Sequence, residues 1–222
     1  MTDEPEAYKL GWVPFLGLKI WLDSKPLIPR PETEWWTEQL LHDTNTPIYR
    51  YAAESQKCNV LDVCAGSGAI GCAILKYVSN VKVYFGEIDQ RHEATIRKNI
   101  RENGLDGSRA EIRIGNLFEP FGDMQFDVIA ANPPYVPEGR ELPKSVADYE
   151  PALALRAGED GLAVIRHIAA KLPQYLKPGG QAWIECDIEN IDEAQRLFKA
   201  HGYHVKILYD QYERPRVIVL SS

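Results

Sequence analysis

From Asn59 onward the chain repeats one rhythm: a short strand-like run, then a longer stretch with helical spacing. No other feature limits the fold as much. Seven runs have strand character: Val60-Leu61-Asp62-Val63, Val81 to Phe85, Glu111 to Ile114, Phe126 to Ala131, Gln181 to Glu185, Tyr203 to Leu208 and Arg216 to Leu220. Between them, Ala69 to Val78, Gln90 to Asn103, Leu162 to Leu176 and Ile191 to His201 have helical spacing. Gly104 stops the second of these, and Pro178-Gly179-Gly180 the third. Strands alternating with helices predict an α/β fold, a doubly wound and mostly parallel sheet with helices on both faces. The turn Tyr209 to Pro215 is too short for a right-handed crossover, so the last two strands pair antiparallel.

Upstream, Trp12 to Phe15 and Leu18 to Leu22 read as a hairpin around Gly17. Pro31, Glu32 and Glu34 suit a helix start, and Trp35 to Leu41 continue it. Asp43 to Lys57 reads as a connecting stretch. The expected organisation is therefore an N-terminal hairpin, helix and connector over 1–57 and a sheet domain over 58–222.

A 45% hydrophobic chain of 222 residues can build one large core. Its net charge of −7 lowers the expectation of nucleic acid binding and favours a protein or small-molecule substrate. Cys58, Cys64, Cys72 and Cys186 form no CxxC pair and no cluster with metal-ligand spacing, so reduced core thiols and no metal are expected. Met1 to Lys9 is polar and acidic, unlike a signal peptide, and no apolar run approaches the ~20 residues of a membrane span. A cytoplasmic monomer is the expectation.

Three strand ends carry candidate chemistry. Asp62 to Gly68 turns through Gly66 and Gly68 into a helix whose first N–H groups are free. Such a turn lies where parallel sheets bind ligands. In Phe85-Gly86-Glu87-Ile88-Asp89, Glu87 is placed to accept both hydroxyls of a ribose, and Asp89 to cap the next helix. Asn116 and Leu117 offer an amide and an apolar edge for a base.

The most specific element is Asn132-Pro133-Pro134-Tyr135. Two prolines fix φ and remove two donors, leaving rigid carbonyl acceptors. A planar NH2 group is a poor nucleophile because its lone pair is delocalised. The Asn132 side chain and the Pro133 carbonyl together suit the two hydrogens of such a group, aiming its nitrogen at a sulfonium methyl, with Tyr135 packed on its flat face. Alignment and preorganised electrostatics suffice for that chemistry, without metal or strong base.

On these residues the chain resembles the HemK/PrmC family of release factor glutamine methyltransferases, from about Tyr8 to Val219. Further segments carry the likeness: Leu27 to Glu34 (Leu-Ile-Pro-Arg-Pro-Glu-Thr-Glu), Leu61 to Ile70, Gly115 to Phe118, Tyr149 to Leu155, Gly158 to Gly161, and Lys177 to Gly180. The resemblance implies a Rossmann-like class I methyltransferase fold and S-adenosylmethionine, leaving as S-adenosylhomocysteine. It implies cofactor contacts at Cys64, Ala65, Gly66, Ser67, Gly68, Glu87, Asn116, Leu117 and Asn132. It also implies that Asn132, Pro133, Pro134 and Tyr135 grip the glutamine of a release factor's Gly-Gly-Gln loop. Cys64 stands at a usual glycine, Glu87 and Asn116 at usual aspartates, and Asp187 at a common glycine. Bacterial members usually carry a helical domain before the hairpin; this chain starts almost at the hairpin and reads as a short form.

Asn-Pro-Pro-Tyr also occurs in DNA and RNA amino-methyltransferases, so methylation of a flipped adenine or cytosine amine is an alternative. A cofactor-binding or scaffold protein is a second. Val136 to Glu159 is a candidate lid. Arg30 and Glu32 are candidate pocket residues or a helix-start ion pair, and Trp35-Trp36 is expected to pack the N-terminal helix. The five histidines receive no role, and Arg214 and Arg216 are either exposed charges or a docking site.

Overall fold

A computed structural model describes residues 3–53 and 57–221. In chain order the elements are α1 (Glu6–Leu10), β1 (Trp12–Phe15), β2 (Leu18–Trp21), α2 (Pro31–His42), α3 (Pro47–Ala53), β3 (Cys58–Val63), α4 (Ala69–Tyr77) and β4 (Val81–Glu87). There follow α5 (Glu93–Glu102), β5 (Ala110–Ile114), β6 (Phe126–Ala131), α6 (Lys144–Ala147), α7 (Ala163–Tyr175), β7 (Leu176–Glu185), α8 (Ile191–Ala200), β8 (His204–Tyr209) and β9 (Pro215–Ser221).

The expected α/β architecture is present. A seven-stranded sheet runs in the order β5-β4-β3-β6-β7-β9-β8, and β9 alone is antiparallel, to both of its neighbours. β1 and β2 form the separate hairpin. Both sheet faces are covered, which is why the central strands read as near-continuous apolar runs. Alternate residues divide between two cores. Val60, Val128, Ala130, Trp183 and Val217 face the hairpin, α2, α4 and α5. Leu61, Val63, Ile129, Ala131 and Ile184 face α7 and α8. Each fully buried Val, Leu or Ile side chain contributes ~1.5–3 kcal/mol.

The hairpin and α2 share the first of these cores, with Phe15, Ile20, Trp36 and Leu40 all buried. Trp36 packs α2 onto the domain as expected, and Trp35 is half-buried beside it.

Three boundaries differ from expectation. The connector contains α3, and residues 54–56 of it lie outside the described residues. β7 begins at Leu176 and runs through Pro178-Gly179-Gly180, which a local reading takes as a terminator. A register shift against β6 absorbs them, with Leu176 paired to Phe126 and Gln181 to Val128. The helix after β4 opens with a 3₁₀ turn, Gln90–His92, and Asp89 caps it by accepting from the Arg91 N–H, as expected. No helix among the described residues is long and apolar enough to cross a membrane.

Candidate active site

The strand order places β3 between β4 and β6, so connections leave β3 and β6 on opposite sides and a crevice opens at their carboxyl ends. A cavity of about 210 Å³ lies there. Of the residues anticipated from sequence, Cys64, Gly66, Glu87, Asn116, Leu117, Asn132 and Pro134 line it. Ala65, Ser67 and Gly68 form the turn behind this wall, and Pro133, Tyr135, Arg30 and Glu32 are not among its lining residues.

The wall is built by backbone amides meeting buried carboxylates. Asp62, fully buried, accepts from the Gly71 N–H at 2.9 Å and so ties β3 to α4. Burial, with a smaller push from Glu87, drives its pKa up to about 8, against the pull of that N–H. Glu87 accepts from the N–H of Gly66 at 2.6 Å and of Asp89 at 2.9 Å. A carboxylate offers about four acceptor sites, so Glu87 keeps acceptor capacity toward the cavity.

At Gly68 (φ 77°) a Cβ would stand 3.1 Å from Ile96 and 3.3 Å from Phe85, so backbone conformation and space both call for glycine. Cys64 has φ 62° without that freedom, and Leu117 has φ 47°. Left-handed backbone costs an L-residue ~1–2 kcal/mol. Two strained residues therefore line one cavity, the usual setting for such strain.

Asn132 follows β6 directly. Its Nδ2 donates to Thr33 Oγ1 at 3.0 Å, and Thr33 in turn donates to Glu185 Oε2 at 2.7 Å. Trp36 Nε1 donates to the same oxygen at 2.7 Å, and the Tyr135 hydroxyl donates to Oε1 at 2.9 Å. Glu185 is 1% exposed. Burial raises its pKa, while donation from Trp36, Thr33 and Tyr135 opposes the rise. Burial and the neighbouring Glu185 hold the Tyr135 hydroxyl well above its ordinary value, so it stays a donor. The Tyr135 carbonyl accepts from Asn190 Nδ2 at 3.2 Å, and a Cβ at Gly161 would overlap it. Only glycine lets that loop come so close.

The segment after Tyr135 is tied down at several points. Val136 and Arg156 form a bridge, Arg140 pairs with Asp187 at 2.6 Å, and Arg156 donates to the carbonyls of Pro137 and Arg140. Buried Glu150 accepts from the Ile28 N–H at 3.1 Å and from Arg30 at 2.6 Å. Arg30 therefore makes an ion pair, but with this segment and not with a helix-start glutamate. Pro151, Leu153, Ala154 and Arg156 face the cavity and form one wall of it.

Sequence reasoning gave no role to His92, Thr33 or Glu185. His92 lines the cavity, is 4% exposed and shares a hydrogen bond with Ser24 Oγ at 2.8 Å. Burial lowers its pKa, so the ring is held neutral. A buried carboxylate ending the apolar run Ala182-Trp183-Ile184 is a sequence-visible signal for Glu185. His92 has no such signal, and Thr33 is marked only by lying within the Leu27 to Glu34 segment. Among the described residues no cluster of His, Cys, Asp and Glu is arranged to hold a metal ion.

Comparison with known proteins agrees with this geometry. Residues 43–148 match the family model of the methyltransferase small domain. The release factor glutamine methyltransferase of Chlamydia trachomatis serovar L2 is 33% identical over 98% of this chain and 72% of its own length. That of Clostridium acetobutylicum is 36% identical over 85% of this chain and 65% of its own. Among solved structures, the T. thermophilus 16S rRNA methyltransferase in complex with AdoMet and guanosine superposes with a TM-score of 0.58 at 19% identity, covering 87% of this chain and 43% of that one. Such low identity shows a shared fold only, the Rossmann-like class I methyltransferase fold. With the sequence likeness running across nearly its whole length, the chain belongs to the release factor glutamine methyltransferase family.

Proposed function

We propose that this chain methylates the side-chain amide nitrogen of the glutamine in a release factor's Gly-Gly-Gln loop, using S-adenosylmethionine. One observation carries the reading. The Asn132 carboxamide sits at the cavity wall with its NH2 end engaged by Thr33, and among the described residues no protein donor reaches its oxygen. That oxygen is the acceptor an NH2 group needs beside a methyl donor.

The cavity residues suit the cofactor. Glu87 retains lone pairs for ribose hydroxyls, Leu117 and Ile88 supply apolar surface for a base, and Gly66 leaves room for backbone approach. When bound, S-adenosylmethionine would supply a sulfonium methyl to the amide nitrogen and leave as S-adenosylhomocysteine, the displaced amide proton passing to solvent. The chain's own part is alignment. Asn132 and the Pro133 carbonyl hold the amide hydrogens, which favours a pyramidal nitrogen, and Tyr135, fixed through Glu185, supports the flat face. This reading needs no metal. The protein works as a monomer in the cytoplasm, with the release factor as its partner.

The test is methyl transfer from labelled cofactor to a release factor, to its Gln→Ala variant, and to duplex and structured nucleic acid. Label confined to the release factor and lost in the variant is expected. Label in nucleic acid alone, or cofactor binding with no transfer to anything, overturns the reading. Asn132→Ala is expected to lose most turnover while cofactor affinity falls far less; unchanged turnover removes Asn132 from the chemistry.

A further inference from the structure

Which end of the Asn132 side chain meets the substrate is a chemical question, because only the carbonyl end can accept a hydrogen from an amide NH2. The answer lies outside the cavity, in α2 and at the end of β7. Trp36 Nε1 has a hydrogen and no lone pair in its plane, so Glu185 Oε2 has to be an acceptor. Thr33 Oγ1 stands 2.7 Å from that same oxygen and owns a single hydrogen, which goes to Oε2. Its lone pairs are then what Asn132 meets at 3.0 Å, and only the NH2 end can satisfy them. Turning the carboxamide over sets two acceptors against each other. The alternative is for Thr33 to withdraw its hydrogen from a buried carboxylate. Both arrangements leave a buried polar group unpaired.

We infer that Thr33 and Glu185 are positioning residues that set the polarity of the Asn132 carboxamide, so that its oxygen and not its NH2 faces the cavity. The chain of donors runs one way: Asn132 to Thr33 to Glu185. Trp36 anchors its far end, and Tyr135 shares the other carboxylate oxygen, so one buried carboxylate orients both residues flanking the two prolines. Thr33 is itself held: it is 3% exposed, in the first turn of α2, and its carbonyl accepts from Thr37 Oγ1 at 2.7 Å. The inference rests on the proposed amide methylation for its functional meaning, but the orientation can be read without substrate.

The test uses the full chain with Thr33→Val, Thr33→Ser and Glu185→Gln. Valine keeps the shape and removes the hydroxyl; serine restores the hydroxyl. In Glu185→Gln the new carboxamide can turn its oxygen to Trp36 and Thr33, which preserves the direction from Asn132 to Thr33, while its NH2 meets Tyr135 and takes away the acceptor of that hydroxyl. Two readouts are taken: hydrogen exchange of the Asn132 side-chain NH2 by NMR, and kcat and KM for release factor with cofactor Kd. Expected for Thr33→Val is loss of NH2 protection and a fall in kcat of roughly 10- to 100-fold, exceeding any change in KM, at nearly unchanged cofactor Kd. Thr33→Ser is expected to retain both protection and kcat. Glu185→Gln is expected to retain NH2 protection while kcat falls through Tyr135, and loss of NH2 protection in it overturns the direction of the relay.

Full kcat in Thr33→Val overturns the inference. So does an equal loss in Thr33→Ser, which points to packing instead of the hydroxyl. If the wild-type protein methylates no release factor, the functional reading fails, and the exchange arm still decides the relay. Protection that persists in Thr33→Val then overturns it.

Discussion

Replacing Asp62 with asparagine should change how the stability of this protein depends on pH. Asp62 is fully buried at the heart of the sheet and accepts one hydrogen bond, from Gly71, through Oδ2; its Oδ1 has no partner. Burial raises its pKa to about 8, with Glu87 adding to the rise. In the unfolded chain the same group ionises near ~3.9. Between these values the native state holds a proton that the unfolded state has released. Stability therefore falls as pH rises through this window and levels off above about pH 8. One such group changes the unfolding free energy by about 1.4 kcal/mol per pH unit. From pH 5 to 7 that is roughly 3 kcal/mol, or roughly 5–10 °C in Tm for a chain of this length.

In Asp62→Asn the amide oxygen can keep the Gly71 bond, and its NH2 takes the place of the unpartnered Oδ1. The protonated wild-type carboxyl likewise places an O–H without a partner at Oδ1, so at low pH both side chains carry one unsatisfied buried donor, a cost of ~1–3 kcal/mol in each. The two proteins are therefore of similar stability at pH 5, and the variant gains on wild type by about 1.4 kcal/mol per unit as pH rises. Urea unfolding of both proteins at half-unit steps from pH 5 to 8 measures the gap directly. A gap independent of pH would refute the reasoning, because it would mean that Asp62 is already ionised in the folded state.

Two further outcomes concern the cavity wall. Cys64→Gly removes ~1–2 kcal/mol of left-handed strain and adds ~0.5–1 kcal/mol of chain entropy, so its Tm should match or exceed wild type. Cys64→Val, β-branched at the same φ of 62°, should melt well below it; a valine variant as stable as wild type would show that the turn does not hold that backbone. Gly161→Ala forces a Cβ into the Tyr135 carbonyl at a φ of 74°. It should lower both Tm and turnover while leaving cofactor affinity nearly intact, as calorimetric titration would check.

Much of the fold was legible because both sheet faces are covered. Val60 to Val63 and Phe126 to Ala131 have no solvent face to satisfy, so they announce themselves as apolar runs. Pro178-Gly179-Gly180 misled for the opposite reason. Locally these residues end an element, but pairing of Leu176 with Phe126 carries β7 past them. α3 is too short, and too mixed in sequence, to show a helical period. In the site, Glu87 and Asn132 stood out because each sits where a buried strand ends at a ligand-binding edge. Thr33 did not, since its importance arises from contacts 99 and 152 residues away in sequence. Glu150 is similar: 122 residues separate it from the Ile28 N–H it binds. The sequence marks Leu27 to Glu34 and Tyr149 to Leu155 as separate segments, and only the fold shows them gripping each other.

The placement of β9 bears on how this sheet can assemble during synthesis. β8 is translated first, yet within the sheet it touches only β9, and β9 is the strand that seals the edge of β7. Until residues 215–221 emerge, β8 has no strand to pair with, and the growing chain displays an open β7 edge built around Trp183 and Ile184. Bare apolar edges recruit other chains. A ribosome stalled between β8 and β9 would thus release a product missing two strands from its sheet, and an aggregation-prone one.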